Sequence, residues 1–257
     1  MQASEYRYEA TSVAGFLSQL VRYIQGGHYF YFACTLPPDA DPQAVDRKLL
    51  ALYDVVQPRW KRKTRSRGDR PSVHYLRHER FYVLLSTHGR EEVGGEVRPG
   101  RLFVDHSKTI RDVRRTALKF RGYSVRYTYS ETHKRWKVFV RLDREAYRAI
   151  RTSMTSAATR ARYRQPAVLE HEFAKLALEP YGPVRKQLLA ILKEVNRLRR
   201  RAGLSQINSR CIRRMRSRPV KVFFDATEPI SQSPFHHSQS RGELCSPGAI
   251  TRGLHYS

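Results

Sequence analysis

His74, His78 and His88 fall on or beside two expected neighbouring strands, and Asp105-His106 follows a third. Imidazoles and a carboxylate gathered at one sheet edge are the donor types of a metal-dependent nuclease, in which a metal-bound water attacks a phosphodiester. Their spacing matches no strong metal-ligand signature, so no catalytic set, no metal and no cofactor is assigned. Nor does a close histidine pair precede a helical tyrosine, as in strand-nicking enzymes, although Tyr147 and Tyr163 lie on expected helices. Glu91-Glu92, Glu170 and Glu172 define no carboxylate pair, and Gly26-Gly27 and Gly94-Gly95 make no nucleotide-binding loop. Cys34, Cys211 and Cys245 are odd in number and lack C-x-x-C spacing, which points to a reducing compartment, the cytoplasm by default. No apolar run approaches the roughly 18 residues of a membrane span, and Met1 to Ala10 lacks a leader pattern, so neither spanning nor export is expected.

Arginine is where the sequence departs most from the ordinary. The 257 residues carry 49 Lys and Arg against 23 Asp and Glu, a net charge of +26. Charge of that size repels itself in a compact chain unless a polyanion relieves it. Between Ala226 and Ser257 two cations balance two acids, so all the excess lies before residue 226. The cations gather in three places, interleaved with aromatic rings in the first two. Arg59, Lys61, Arg62, Lys63, Arg65 and Arg67 surround Trp60. Arg111, Arg114, Arg115, Lys119, Arg121 and Arg126 surround Phe120, Tyr123 and Tyr127. Arg197, Arg199, Arg200, Arg201, Arg210, Arg213 and Arg214 form the third group.

Guanidinium groups fork onto phosphate and stack on bases, and three such patches can follow an extended polyanion. The expected partner is nucleic acid, RNA or single-stranded DNA ahead of duplex, held as a binding or ribonucleoprotein component with or without a protein partner, and not at a membrane. Two other readings stay open. One is a DNA-processing enzyme of a mobile element or plasmid, a nuclease, initiator or transposase using the histidines. The other is a helix-turn-helix on duplex DNA, with Asn208, Arg210 and Arg213 facing bases.

The elements that must position these groups follow from periodicity. Apolar residues at Val13, Phe16, Leu17, Leu20, Val21 and Ile24 predict a helix capped by Thr11 or Ser12 and ended by Gly26-Gly27. His28 to Leu36 is aromatic without polar alternation, a strand buried on both faces. Asp41-Pro42 starts a second helix ending near Val56, and Arg59 to Arg70 reads as an exposed basic loop. Val73 to Leu76 and Phe81 to Thr87 predict a hairpin, Arg90 to Gly100 a loop, and Leu102 to Val104 a short strand. Ala117 to Ser130 alternates and pairs with Trp136 to Leu142. Its Tyr123, Tyr127, Tyr129 and Trp136 face is either core or a surface for bases, with Ser124, Arg126, Thr128, Lys137 and Arg141 opposite. Helices are expected over Arg144 to Tyr163, Ala167 to Leu178, Pro183 to Arg201 and Ser209 to Arg216.

This order predicts an α+β fold, a small antiparallel sheet with helices on one side. The opening resembles ferredoxin-like RNA-binding and replication-protein folds in element order. Expected divisions are residues 1–142 for the sheet domain, 143–225 for a basic helical region and 226–257 for a disordered tail.

Overall fold

The structure, a computed structural model, describes residues 6–58, 61, 71–87, 90–93, 96–99, 110–212 and 220–223, with 90–93 and 96–99 as backbone alone. It is α+β, with helices and small antiparallel sheets. The chain forms two units, one up to Thr116 rejoined from Val220, the other from Ala117.

In the first unit, helix α1 (Val13–Gln25) begins where Ser12 accepts a hydrogen bond from the Gly15 amide, a cap worth about 1 kcal/mol. Helix α2 (Pro42–Leu52) begins where Asp41 accepts from the amides of Gln43 and Ala44. Strands β1 (Phe30–Thr35), β2 (Val73–His78), β3 (Phe81–Ser86) and β6 (Arg111–Asp112) form one sheet in the order β2-β3-β1-β6, every pair antiparallel. Alternation assigns the faces. Phe32, Cys34, Tyr75, Tyr82 and Leu84 pack with Leu49 of α2 and Tyr53 just beyond it. The other face carries His74, His78 and Phe81, which meet Tyr23 and Phe16 of α1. The two helices therefore cover opposite faces rather than one, because β1 is apolar on both.

The edge of β2 is covered. Arg77 exchanges backbone hydrogen bonds with Tyr8 and Ala10, and Glu9 pairs with it in parallel. Residues 220–223 close over that segment in turn. Thr11 donates from its amide to the Val222 carbonyl and from its hydroxyl to that of Lys221, and Ala10 bridges Phe223. The approach is close, since a Cβ on Gly15 would lie 3.2 Å from the Val222 Cα.

Arg90 to Gly100 differs from expectation. Its backbone forms a two-stranded ribbon, β4 (Arg90–Val93) with β5 (Glu96–Pro99). Leu102 to Val104 lies outside the described residues.

In the second unit, the long alternating run is two strands, β7 (Leu118–Phe120) and β8 (Tyr123–Ser130), and β9 (Arg135–Leu142) completes a sheet in the order β7-β8-β9. The break is the turn at Arg121-Gly122, where φ is +43° and +78°. Gly122 suits that region at little cost, whereas Arg121 gives no such sign. Helices α3 (Arg144–Ala157), α4 (Pro166–Ala174) and α5 (Gly182–Arg201) follow. The first is shorter than expected, and Ala161–Tyr163 is a separate 3-10 turn. Met154, Leu169, Phe173, Leu188, Ile191 and Val195 share a core with Ile207 and Ile212.

The expected division after Leu142 falls inside this unit. Gln187 of α5 donates to the Leu142 carbonyl and accepts from its amide, fastening the sheet to the helices. Of the helix expected over Ser209 to Arg216, Ser209–Cys211 is a 3-10 turn and the backbone leaves helical geometry at Ile212, while residues 213–216 lie outside the described residues.

Candidate nucleic-acid interface

Cations divide unevenly between the units. Among the described residues, the second unit has 22 Lys and Arg against 7 Asp and Glu, and the first has 13 against 10. An excess of 15 over 96 consecutive residues, 117–212, is far beyond what solubility requires.

The three-stranded sheet sorts its side chains by face. Register places Leu118, Phe120, Tyr123, Val125, Val140 and Leu142 on one side, all buried. The opposite side carries Lys119, Ser124, Arg126, Thr128, Ser130, Arg135, Lys137, Phe139 and Arg141, and no carboxylate occupies a position there. Lys119, Arg135 and Arg141 are exposed, and Arg126 and Lys137 half-buried. Arg141, Lys137 and Arg135 lie two or four residues apart on one strand, a row of about 20 Å at roughly 3.4 Å per residue.

The aromatic face resolves into two parts. At the root, Tyr123 is core, 5 % exposed, and its hydroxyl accepts from the Glu179 amide. Burial raises the Tyr123 phenol above its ordinary range and pushes Tyr181 up to about 12, while Glu179 itself titrates high because it is desolvated. At the hairpin tip, Tyr129 and Trp136 are 44 % and 51 % exposed, and Trp136 stacks on half-buried Tyr127.

The helices add a second basic surface. Lys193, Arg197, Arg200 and Arg201 of α5 are exposed, and the first three line a shallow groove with Arg151 of α3. Arg151 donates to both Glu194 carboxylate oxygens at 2.7 Å, a fork that holds the Glu194 carboxyl below its ordinary range. Arg144 and Arg148 share the outer side of α3 with Arg151, at spacings of four and three residues.

Arg199 lies apart from its neighbours Arg200 and Arg201. It is fully buried and donates to the carbonyls of Ser205, Ala158, Tyr163 and Arg164. With its donors directed at backbone, it ties α5 to the 158–164 and 205 segments and leaves nothing for phosphate. Burial without a facing carboxylate holds its guanidinium below the usual range.

Arg210 is exposed, while Arg213 and Arg214 lie outside the described residues. So do Arg59, Trp60, Arg62, Lys63, Arg65 and Arg67; exposed Lys61 is 3.8 Å from Asp54. In the first unit Arg111 and Arg115 are exposed, whereas Arg114 grips Asp112 through Nε and Nη2 and lies 4.7 Å over the Tyr29 ring.

The histidines serve packing where they are described. His78 is buried and donates from Nδ1 to the Ala10 carbonyl, and His74 stacks on Tyr23 at 4.0 Å. Among the described residues no three histidine, cysteine or acidic side chains are grouped to hold a metal. His88, Asp105 and His106 lie outside them.

Arg135 on β9, and Arg144, Arg148, Arg151, Lys186 and Lys193 on the helices, extend the basic set read from the sequence. The signal was phase, since these cations recur on the outer turns of amphipathic helices and on one side of a strand. No helix is long and apolar enough to cross a membrane among the described residues. No protein-family model, curated protein or solved structure matches the chain.

Proposed function

We propose that the protein binds nucleic acid without processing it, through the cationic surfaces of its second unit, and that RNA or single-stranded DNA is preferred to duplex. The observation that carries the reading is the sheet face of Lys119, Arg126, Arg135, Lys137 and Arg141, free of acidic positions and built on a sheet whose reverse is core at its root. Such a face attracts a phosphate chain by releasing its condensed counterions, and the exposed cations of α5 enlarge it. Arg200, Arg201 and Arg197 belong to this set; Arg199 does not.

In the first unit, α2 joins β1 to β2 while β3 lies between them, which supports the ferredoxin-like reading of the split β-α-β type. The fold gives that unit no role by itself. A ribonucleoprotein setting, in which the bound RNA also touches a second protein, is consistent with so large an excess charge.

The test is oligonucleotide affinity measured across salt concentration for the parent and for a Lys119→Gln, Lys137→Gln, Arg141→Gln variant. Three lost phosphate contacts should flatten the log-log salt slope by about 2 on single strands, with little change in thermal stability. Unchanged affinity and slope in the variant would remove the sheet face from the proposal.

A further inference from the structure

We propose that the tip of the β8–β9 hairpin is a stacking platform for unpaired bases, centred on Trp136. The inference rests on the nucleic-acid reading above and names which nucleotides that site takes.

A single exposed aromatic is ordinary, but three rings already arranged against each other are less so. Tyr127 and Trp136 stack with centroids 5.4 Å apart and planes at 29°, and Tyr129 meets Trp136 edge-on at 6.2 Å. Each holds its neighbour in place, so a base that joins the stack orders little that is still free. No core reason accounts for them, because the same face is buried at its root and more than two-fifths exposed at Tyr129 and Trp136.

Charge decides the occupant. Trp136 stands between Arg135 and Lys137 on β9, an edge strand of its sheet. Alternation sends the ring to one face and both cations to the other. A flexible single strand can turn over that edge, placing bases on the rings and phosphates on the cations. A duplex cannot, since its bases are stacked internally and its outer surface is phosphate and sugar. An apolar protein surface or a lipid bilayer would match the rings and gain nothing specific from the cations.

The chain has two tryptophans, so Trp60→Phe leaves Trp136 as the only indole reporter. Titration of that protein with oligo(U), oligo(dT) and a blunt duplex should quench its fluorescence with the single strands and leave it unchanged with the duplex; the two single strands separate RNA from DNA preference. Trp136→Ala should weaken single-strand binding roughly tenfold and Trp136→Phe less, with duplex affinity unaltered. Equal quenching by duplex overturns the platform, as does single-strand affinity that survives Trp136→Ala. So does a Trp136→Ala defect confined to self-association or to vesicle binding. Should the sheet-face glutamine variant lose binding while Trp136→Ala keeps it, the platform falls and the phosphate-binding reading stands. A parent protein that binds no polynucleotide ends both.

Discussion

The two units differ in how they hold buried charge. In the first, Arg77 and Arg114 turn onto acids, while Arg22, Arg47, Lys48, Arg111 and Arg115 are exposed. Arg77 is buried between β2 and α2, where Nε reaches both oxygens of Asp46 at 3.0 Å and Nη2 reaches Glu9 at 2.9 Å. Burial alone would lower the Arg77 guanidinium, yet Asp46 and Glu9 hold it above its ordinary range. The Tyr75 hydroxyl donates to the same carboxylate, and burial, helped by that neighbouring charge, raises the phenol above its ordinary range. Among the described residues of the second unit most cations are exposed and acids are few, and the fully buried Arg199 is held by backbone carbonyls. Buried charge thus fixes architecture in both units, while exposed excess charge is concentrated in one of them.

Breaking the inward pairing should have the largest effect. Asp46→Ala leaves the Arg77 guanidinium buried with only part of its partnership, and should destabilise the protein by about 3 kcal/mol in urea titration. Added salt should not restore it, since the pair is shielded from solvent. A loss near zero would mean that Arg77 escapes to water and that the first unit does not depend on the pair.

Arg199→Met sharpens the comparison from the other side. It relieves a buried charge but strands the carbonyls of Ala158, Tyr163, Arg164 and Ser205, so a cost of about 2 kcal/mol is expected. Oligonucleotide affinity should be unchanged at temperatures where the variant is folded. If affinity falls as far as in the sheet-face glutamine variant, the division between inner and outer arginines is wrong.

The smallest effect concerns Glu179. Its carboxyl is raised by burial, so the folded state favours the protonated form, and stability is lost as pH climbs past the unfolded value towards the raised one. Glu179→Gln should therefore raise the urea midpoint at pH 7, and the gain should vanish below about pH 4, near the unfolded carboxyl value. Identical midpoints at neutral pH would show that the site is better solvated than its packing implies.

Much of the local structure was legible because it follows from short-range chemistry. Ser12, Asp41-Pro42 and the aromatic run before Pro37 announced α1, α2 and β1. The turn at Arg121-Gly122 was hidden because Val125, Tyr127 and Tyr129 alternate as though the strand had begun earlier. The root and tip of the aromatic face could not be told apart, since both obey one pattern and only the reach of the helices ends the core. Two buried charges did leave a trace. Arg199 continues the stripe of Leu188, Leu192 and Val195, and Asp46 shares the apolar side of α2 with Leu49 and Tyr53. A charge in phase with a core stripe is a buried charge, and on that criterion Arg199 separates from Arg200 and Arg201 without coordinates.

Residues 220–223 lie against the segment 8–11, so the first unit is completed by chain made after the entire second unit. On a ribosome, the nascent sheet must wait with that border uncovered while residues 117–219 emerge, and the later unit is free to mature before the earlier one.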